Sequence, residues 1–257
     1  MARGIKKHLV IGNWKMCAKT SKEAKEFVRA LRRKAALFSG IEVVLAPAFP
    51  LIPGVADALK GSSVKVCSQT ISTHAGGAHT GEVSGAMLKA LGVSFCIIGH
   101  SERRSAGETD AQVREQLLRA TESGMRAVLC IGENGRSESG EHFAALGGQL
   151  SSALSGLPKP AAAKIIIAYE PVWAIGKTAG DAMKPAELRE TAIFIRKTVV
   201  GLLGREALSR MPILYGGSVE GENARALIDG GDVSGFLVGH ASANLDSFIE
   251  ILKACRK

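Results

Sequence analysis

The stretch KIIIAYEPVW, residues 164–173, indicates the class of fold to which this chain belongs. Its apolar residues are continuous rather than alternating, and they run directly into Glu170 and Pro171. A continuous apolar run of this length is typical of a strand in a parallel sheet that is covered on both faces. The sequence therefore predicts a buried strand that ends at a carboxylate.

Seven other short apolar runs are distributed along the chain, and several of them are also rich in Val and Ile. Together they predict eight strands, over residues 8–11, 41–46, 64–67, 93–98, 126–131, 165–169, 212–215 and 235–238. Helix-like stretches lie between them, with apolar residues at a helical spacing in Ser21–Leu37. Good helix-starting residues are Thr109 or Asp110, Pro185, and Asn244 or Asp246. Residues 135–160 are expected to be the least regular part.

Strand followed by helix, eight times, is the pattern of an α/β protein. The 257 residues match the length of about 250 that a closed (βα)8 barrel needs. We therefore predict a single eight-stranded parallel (βα)8 barrel, with residues 1–257 as one domain. A doubly wound open sheet is the structural alternative, although no G-x-G-x-x-G follows the first strand as a dinucleotide fold would require.

Composition excludes several classes of protein. Hydrophobic residues make up 46% and charged residues 22%, which excludes a disordered chain. No apolar run approaches the ~18 residues of a membrane span, and the N-terminus lacks the features of a signal peptide. A cytoplasmic protein is expected. The five cysteines contain no C-x-x-C pair, so buried free thiols are favoured over a disulfide or zinc framework.

The net charge of +9 has two interpretations. A nucleic-acid binder would cluster its Lys and Arg residues, but here they are spread along the chain with no recognised nucleic-acid motif. A solvated basic surface, or one that steers an anionic substrate, is favoured.

Residues that could take part in catalysis or in ligand binding follow several of the predicted strands. In a barrel these positions share one end, where reactive groups are found. They are Asn13 and Lys15, His100 and Glu102, Glu170, Gly216 to Ser218, and Gly239 with His240. Each alone has an ordinary structural interpretation, such as a solvated lysine, a packed histidine or a tight glycine turn. Their coincidence at one end favours a site for a small phosphorylated carbonyl compound.

The residue types fit that chemistry. Glu170 can take a proton from a carbon next to a carbonyl, and His100 can hydrogen-bond the oxygen on which charge builds. Lys15 supplies a positive charge. The backbone N–H groups of the glycine-rich turns can bind phosphate.

The same segments resemble those of the triosephosphate isomerase family, in the family's order, from Gly12 to about Asn244. The resemblance is carried by Asn13-Trp14-Lys15, Thr80-Gly81-Glu82, Gly99-His100-Ser101-Glu102-Arg103-Arg104, Cys130-Ile131-Gly132-Glu133, Tyr169-Glu170-Pro171-Val172-Trp173-Ala174-Ile175-Gly176 and Tyr215-Gly216-Gly217-Ser218. It implies a TIM barrel and the interconversion of dihydroxyacetone phosphate and D-glyceraldehyde 3-phosphate, a step of glycolysis and gluconeogenesis. No metal and no organic cofactor are implied.

The resemblance also implies roles for individual residues. The family is a standard example of how enzymes tune acids and bases, and the following roles are those that the resemblance implies. Glu170 would be the base, neutral His100 the electrophile and Lys15 the stabilising cation. Substrate binding would involve Asn13, Lys15, Gly176, Ser218, Gly239 and His240. Glu102 would support Lys15 and His100, or form only a structural ion pair.

Two further features are implied. Residues 171–178 resemble the family's closing lid, with Trp173 as a hinge anchor or as an ordinary packing residue. Residues 69–82 resemble its dimer loop, whose tip near Thr80 would insert beside the partner's active site, with Glu82 and Arg103 pairing near that interface. A homodimer is expected.

Two positions depart from the family's pattern. His240 stands where the family usually has glycine, and the chain after Gly176 reaches Pro185 about two residues later than usual. Three other functions stay open: isomerisation of a longer phosphorylated ketose, phosphosugar binding without catalysis, and nucleic-acid binding by the basic surface.

Overall fold

Eight parallel strands close into a barrel in which each strand pairs with the next and β8 pairs with β1. The computed structural model describes residues 7–18, 20–137, 139–174, 176 and 182–256. The strands are β1 Leu9–Asn13, β2 Glu42–Ala46, β3 Lys65–Ser68, β4 Phe95–Ile98, β5 Arg126–Ile131, β6 Ile165–Tyr169, β7 Ile213–Tyr215 and β8 Gly235–Val238. The predicted (βα)8 TIM barrel is confirmed, and the open sheet is excluded because no strand is left at an edge.

Helices follow the strands around the barrel. They are α1 Ser21–Arg33, α2 Ile52–Ala58, α3 Gly85–Ala90, α4 Ser101–Ser105, α5 Asp110–Glu122, α6 Glu141–Leu154, α7 Lys159–Ala162, α8 Pro185–Leu203, α9 Arg205–Arg210, α10 Gly221–Gly230 and α11 Leu245–Ala254. Short 3₁₀ turns cover Ala35–Phe38, Phe49–Leu51, Val172–Ala174 and His240–Ala243.

Two apolar layers explain why the strand sequences are continuous rather than alternating. Inside the barrel, side chains such as Ile11, Val44 and Ile166 form one cluster. Outside it, the intervening residues, such as Val10 and Ile167, pack under the helices in a second cluster. Burial on both faces selects apolar residues at every position of a strand.

The predicted helix starts are confirmed where the structure shows them. Thr109 caps α5 and accepts a hydrogen bond from Gln112 N, and the Gln112 side chain accepts one from Thr109 N in return. Pro185 is the first residue of α8, and Asn244 caps α11 through its side-chain oxygen. Each cap satisfies backbone N–H groups that the helix leaves unpaired.

One sequence expectation is wrong. Residues 135–160, expected to be the least regular part, contain the 14-residue helix α6. Gly147, Gly148 and the serines lower the intrinsic helix propensity of this stretch. Packing of Leu146, Leu150 and other apolar side chains of α6 into the outer cluster overrides that cost.

The remaining global expectations concern thiols and membranes. All five cysteines are free, and four of them are buried, the exception being Cys17. Within the described ranges, no helix combines the length and apolar character needed to cross a membrane.

Candidate functional site

A cavity of about 160 Å³ opens at the carboxyl end of the barrel strands. It brings together ten of the eleven residues that the sequence predicts for the site, namely Asn13, Lys15, His100, Glu170, Gly176, Gly216, Gly217, Ser218, Gly239 and His240. The eleventh, Glu102, contacts Lys15 from the side. Parallel strands that close into a ring place all their following residues at the same end, which explains this convergence.

Glu170 directly follows β6 and is almost completely buried. Its Oε2 accepts a hydrogen bond from the backbone N–H of Ser101 at 3.0 Å, and its Oε1 lies 3.3 Å from His100 Nε2. The carboxylate is thus held by the segment after β4, across the barrel mouth from its own strand.

Two glycines make room for Glu170. A Cβ on Gly132 would lie 1.8 Å from the carbonyl oxygen of Glu170, and one on Gly216 would lie 2.8 Å from its Cγ. Gly216 was nominated for phosphate binding, but its clearest role here is this close approach. Glycine at both positions is therefore explained by sterics.

A buried thiol lies next to the same carboxylate. Burial raises the pKa of Cys130 well above its usual value, and the neighbouring negative charge of Glu170 adds to the rise. Cys130 therefore stays a neutral thiol within the inner layer of the barrel.

His100 lies two residues after β4, at the start of α4, and a backbone N–H orients its ring. Its Nδ1 accepts a hydrogen bond from the N–H of Glu102 at 3.2 Å. An accepting Nδ1 carries no proton, so this contact assigns the proton of the neutral ring to Nε2. That N–H faces Glu170 and the cavity.

Lys15 provides a positive charge at the rim of the cavity. Its Nζ lies 2.6 Å from Glu102 Oε1, in a partly exposed pair that contributes little to stability. Its backbone has a φ of 48°, which is unusual for a residue other than glycine. Asn13 Oδ1 accepts a hydrogen bond from Lys15 N at 3.1 Å and stabilises this turn.

Gln69 also fixes the turn, and sequence reasoning assigned it no role. Its Nε2 donates to the carbonyl oxygens of Lys15 and Ala46, at 3.0 and 2.9 Å. Its position directly after β3 was the available signal. The strained lysine backbone is thus held by one side chain at the end of β1 and one directly after β3.

Next to Lys15, part of the cavity wall is formed by the backbone around Gly239. Gly239 precedes the 3₁₀ turn that begins at His240, and a Cβ on Gly239 would lie 3.6 Å from Lys15 Cε. The Ser218 hydroxyl donates to the carbonyl oxygen of Ala174 at 2.8 Å. The His240 side chain is exposed and lines the cavity mouth.

A second buried carboxylate, Glu133, lies behind the site. Its Oε1 accepts hydrogen bonds from the Tyr169 hydroxyl at 2.8 Å and from Trp173 Nε1 at 2.9 Å. Burial, reinforced by the charge of Glu133, raises the pKa of Tyr169 far above its usual range, so the hydroxyl keeps its proton and donates. Trp173 is therefore hydrogen-bonded as well as packed.

Part of the predicted lid lies outside the described residues, namely Ile175 and residues 177–181, and so does much of the lengthened stretch before Pro185. The described residues contain no cluster of three or more His, Cys, Asp or Glu side chains that could hold a metal ion.

Comparison of the sequence with known proteins matches this chain to one family. The sequence model of triosephosphate isomerase matches residues 8–255. A triosephosphate isomerase from Geotalea uraniireducens is 42% identical over 97% of this chain and 99% of its own length. One from Carboxydothermus hydrogenoformans is 41% identical, and one from Acetivibrio thermocellus 42%, with similar coverage. This chain belongs to the triosephosphate isomerase family and is an isomerase.

Proposed function

We propose that this chain interconverts dihydroxyacetone phosphate and D-glyceraldehyde 3-phosphate through an enediol or enediolate intermediate. The observation that carries the proposal is the 3.3 Å approach of Glu170 Oε1 to His100 Nε2 in a cavity that Lys15 also lines. A base, a hydrogen-bond donor and a cation then surround one small volume.

Glu170 is the proposed base. Its carboxylate would take a proton from one carbon of the substrate and return it to the neighbouring carbon. To reach the substrate, the carboxylate must leave the Ser101 N–H that holds it in this structure. Both oxygens then become available to the reacting carbons.

His100 is the proposed electrophile. With Nδ1 accepting from Glu102 N, the neutral ring presents its Nε2–H to the substrate oxygen on which negative charge develops. Because the backbone fixes this orientation before the substrate binds, little reorganisation is needed during the reaction.

Lys15 and Asn13 are proposed to bind the substrate beside the reacting carbons. The Lys15 ammonium group would stabilise the anionic intermediate, and Glu102 would hold that group at the cavity rim. Asn13 would contribute by keeping the Lys15 turn in its strained conformation.

The phosphate is proposed to bind to backbone N–H groups of Gly176, Ser218, Gly239 and His240. These residues line the wall of the cavity next to Lys15. Clustered N–H groups bind anions well, and no cofactor is required.

The direct test is turnover of D-glyceraldehyde 3-phosphate by the purified protein, followed with a coupled dehydrogenase. We expect fast conversion with no added metal or cofactor, and inhibition by inorganic phosphate. A folded protein that converts a longer phosphorylated ketose but not the triose would contradict the proposal. The reaction would place the protein in glycolysis and gluconeogenesis in the cytoplasm.

His240 is expected to strengthen substrate binding, because it lines the cavity mouth beside the groups proposed to bind the phosphate. Its imidazole adds a hydrogen-bond donor at this position, whereas glycine would leave only the backbone N–H. We expect His240→Gly to raise the KM for the triose phosphate and to leave kcat nearly unchanged. A KM that is unchanged in His240→Gly would show that the His240 side chain does not contact the phosphate.

We also propose a homodimer formed through the segment around Thr80. Residues 74–82 are exposed, and so are the large apolar side chains of Met16 and Met87, at 88% and 58%. Within the chain, Arg103 pairs with Glu108 at 3.4 Å, and Glu82 lines the same cavity as Arg103.

We expect sedimentation to give about twice the chain mass of 26.9 kDa. Met87→Glu would place a charge in the interface and shift the protein toward monomers at micromolar concentration. Ile193→Glu is the matched control, since this side chain is exposed on α8. Equal dimerisation of both variants would exclude this surface.

A further inference from the structure

Arg136 lies between the segment that follows Glu170 and helix α8, the next helix along the chain. It comes five residues after β5, in the segment that carries Glu133. Its guanidinium lies over the Trp173 ring, 6.0 Å from the centroid, and its Nη2 donates to Thr191 Oγ1 at 2.6 Å. One side chain therefore contacts a residue soon after β6 and a residue of α8.

Arg136 is also the counter-charge of Glu133. The Glu133 side chain is about 2% exposed, and one of its oxygens already accepts two hydrogen bonds. Arg136 Nε lies 3.7 Å from that oxygen. A buried carboxylate is costly without a neighbouring positive charge, and no other ion pair to Glu133 occurs in the described part of the chain.

The contact with α8 is itself anchored. Thr191 Oγ1 accepts from Arg136 and donates to the carbonyl oxygen of Glu187, one turn earlier in the helix. The guanidinium position is thus fixed by a helix that packs on the outer layer of the barrel, through Leu188 and Ile195.

The contacts of Glu133 lead directly to the proposed base. Glu133 binds the hydroxyl of Tyr169, whose chain neighbour is Glu170. The backbone carbonyl of Glu133 accepts from Val172 N at 3.0 Å, and Ile131 O accepts from Glu170 N at 2.8 Å. The residues on both sides of Glu170 are therefore held by one short segment.

We propose that Arg136 is a positioning residue for the isomerase reaction, acting on Trp173 both directly and through the Glu133 carboxylate that binds it, to hold the segment that carries Glu170. This inference rests on the proposed function of Glu170. Arg136 itself touches neither the cavity nor the reacting groups, so its substitution changes the placement of the base and not the chemistry it performs.

The test compares Arg136→Met, Arg136→Lys and the control Arg196→Met in kcat and KM. Arg196 also ties α8 to a carboxylate, Asp232, at 3.1 Å, but far from Glu133 in sequence. We expect Arg136→Met to lower kcat about tenfold with KM changed less than twofold, since small displacements of a reacting group are costly. Arg136→Lys should recover part of the loss, and Arg196→Met should leave kcat unchanged.

A double-mutant cycle with Trp173→Phe distinguishes positioning through Trp173 from a general contribution of Arg136 to the fold. If Arg136 acts through Trp173, its substitution should have much less effect in the Trp173→Phe background. An equal loss of kcat in both backgrounds would overturn the proposal, and so would an Arg136→Met variant with unchanged kcat. If Arg136→Met does not fold, Arg136→Lys and Thr191→Val decide, and parental kcat in both would overturn the proposal.

Tryptophan fluorescence provides a second readout of the Arg136 substitution that does not depend on turnover. The chain has two tryptophans, and Trp14 is buried beside Phe27. We expect Arg136→Met to shift the emission of the protein with Trp173 present and not in the Trp173→Phe background. A parent without triose phosphate turnover would reject the proposed function, whereas an unshifted emission would reject the positioning by Arg136.

Discussion

Glu170→Gln is expected to lower kcat by roughly 10²- to 10⁴-fold, the contribution typical of a positioned general base. Glutamine keeps the size of the side chain and can still accept the hydrogen bond from Ser101 N. It cannot take a proton from the substrate carbon. KM should change little, because the backbone groups that we propose to bind the phosphate are untouched.

Glu42→Gln is the matched control for this variant. Glu42 begins β2, at the opposite end of the barrel, and its carboxylate pairs with Arg126 at 3.1 Å. The coupled assay should show parental kcat for Glu42→Gln. A Glu170→Gln variant that retains more than a tenth of the parental kcat would place the base elsewhere.

His100→Gln is expected to lower kcat by about 10²- to 10³-fold, the usual effect of losing a donor to a developing oxyanion. The fixed imidazole presents Nε2–H because Glu102 N–H occupies its other nitrogen. A glutamine amide is more flexible and is not held in this way. The loss should be expressed in kcat more than in KM, since the charge develops only during the reaction.

His142→Gln controls for the loss of a buried histidine. His142 lies on α6, outside the residues that line the cavity, and neither of its ring nitrogens has a hydrogen-bond partner. Its substitution should leave kcat unchanged. The double variant Glu170→Gln with His100→Gln should lose less than the product of the single losses, because the two groups act on one intermediate. Strictly multiplicative losses would argue against a shared step.

The barrel could be predicted because every strand is subject to the same constraint, which is burial of both its faces. Burial on both faces makes residues such as Val10 and Ile11 apolar in succession, which identifies a strand without long-range information. The helix α6 was missed because local composition disfavours it and distant packing stabilises it. Tertiary contacts of this kind leave no periodic signal strong enough to outweigh two adjacent glycines.

The site was predictable to the extent that it depends on strand order. Asn13 ends β1 and Glu170 directly follows β6, so closing the barrel brings them together whatever their side chains do. Contacts between side chains from different loops, such as that of Gln69 with the Lys15 turn, could not be read from spacing. Nor could the link from Arg136 to Thr191, whose members are 55 residues apart in sequence.

The closure of β8 onto β1 has a consequence for the synthesis of this protein. Lys15 follows the first strand and Gly239 follows the last, so two parts of the proposed substrate site are synthesised at the beginning and at the end of translation. At 5–20 residues per second, the ribosome needs roughly 10–45 s to pass from one to the other. During that interval the edge of β1 that will pair with β8 has no partner strand. A nascent chain must prevent this edge from pairing with strands of other chains. It acquires its complete site only when the final strand is in place.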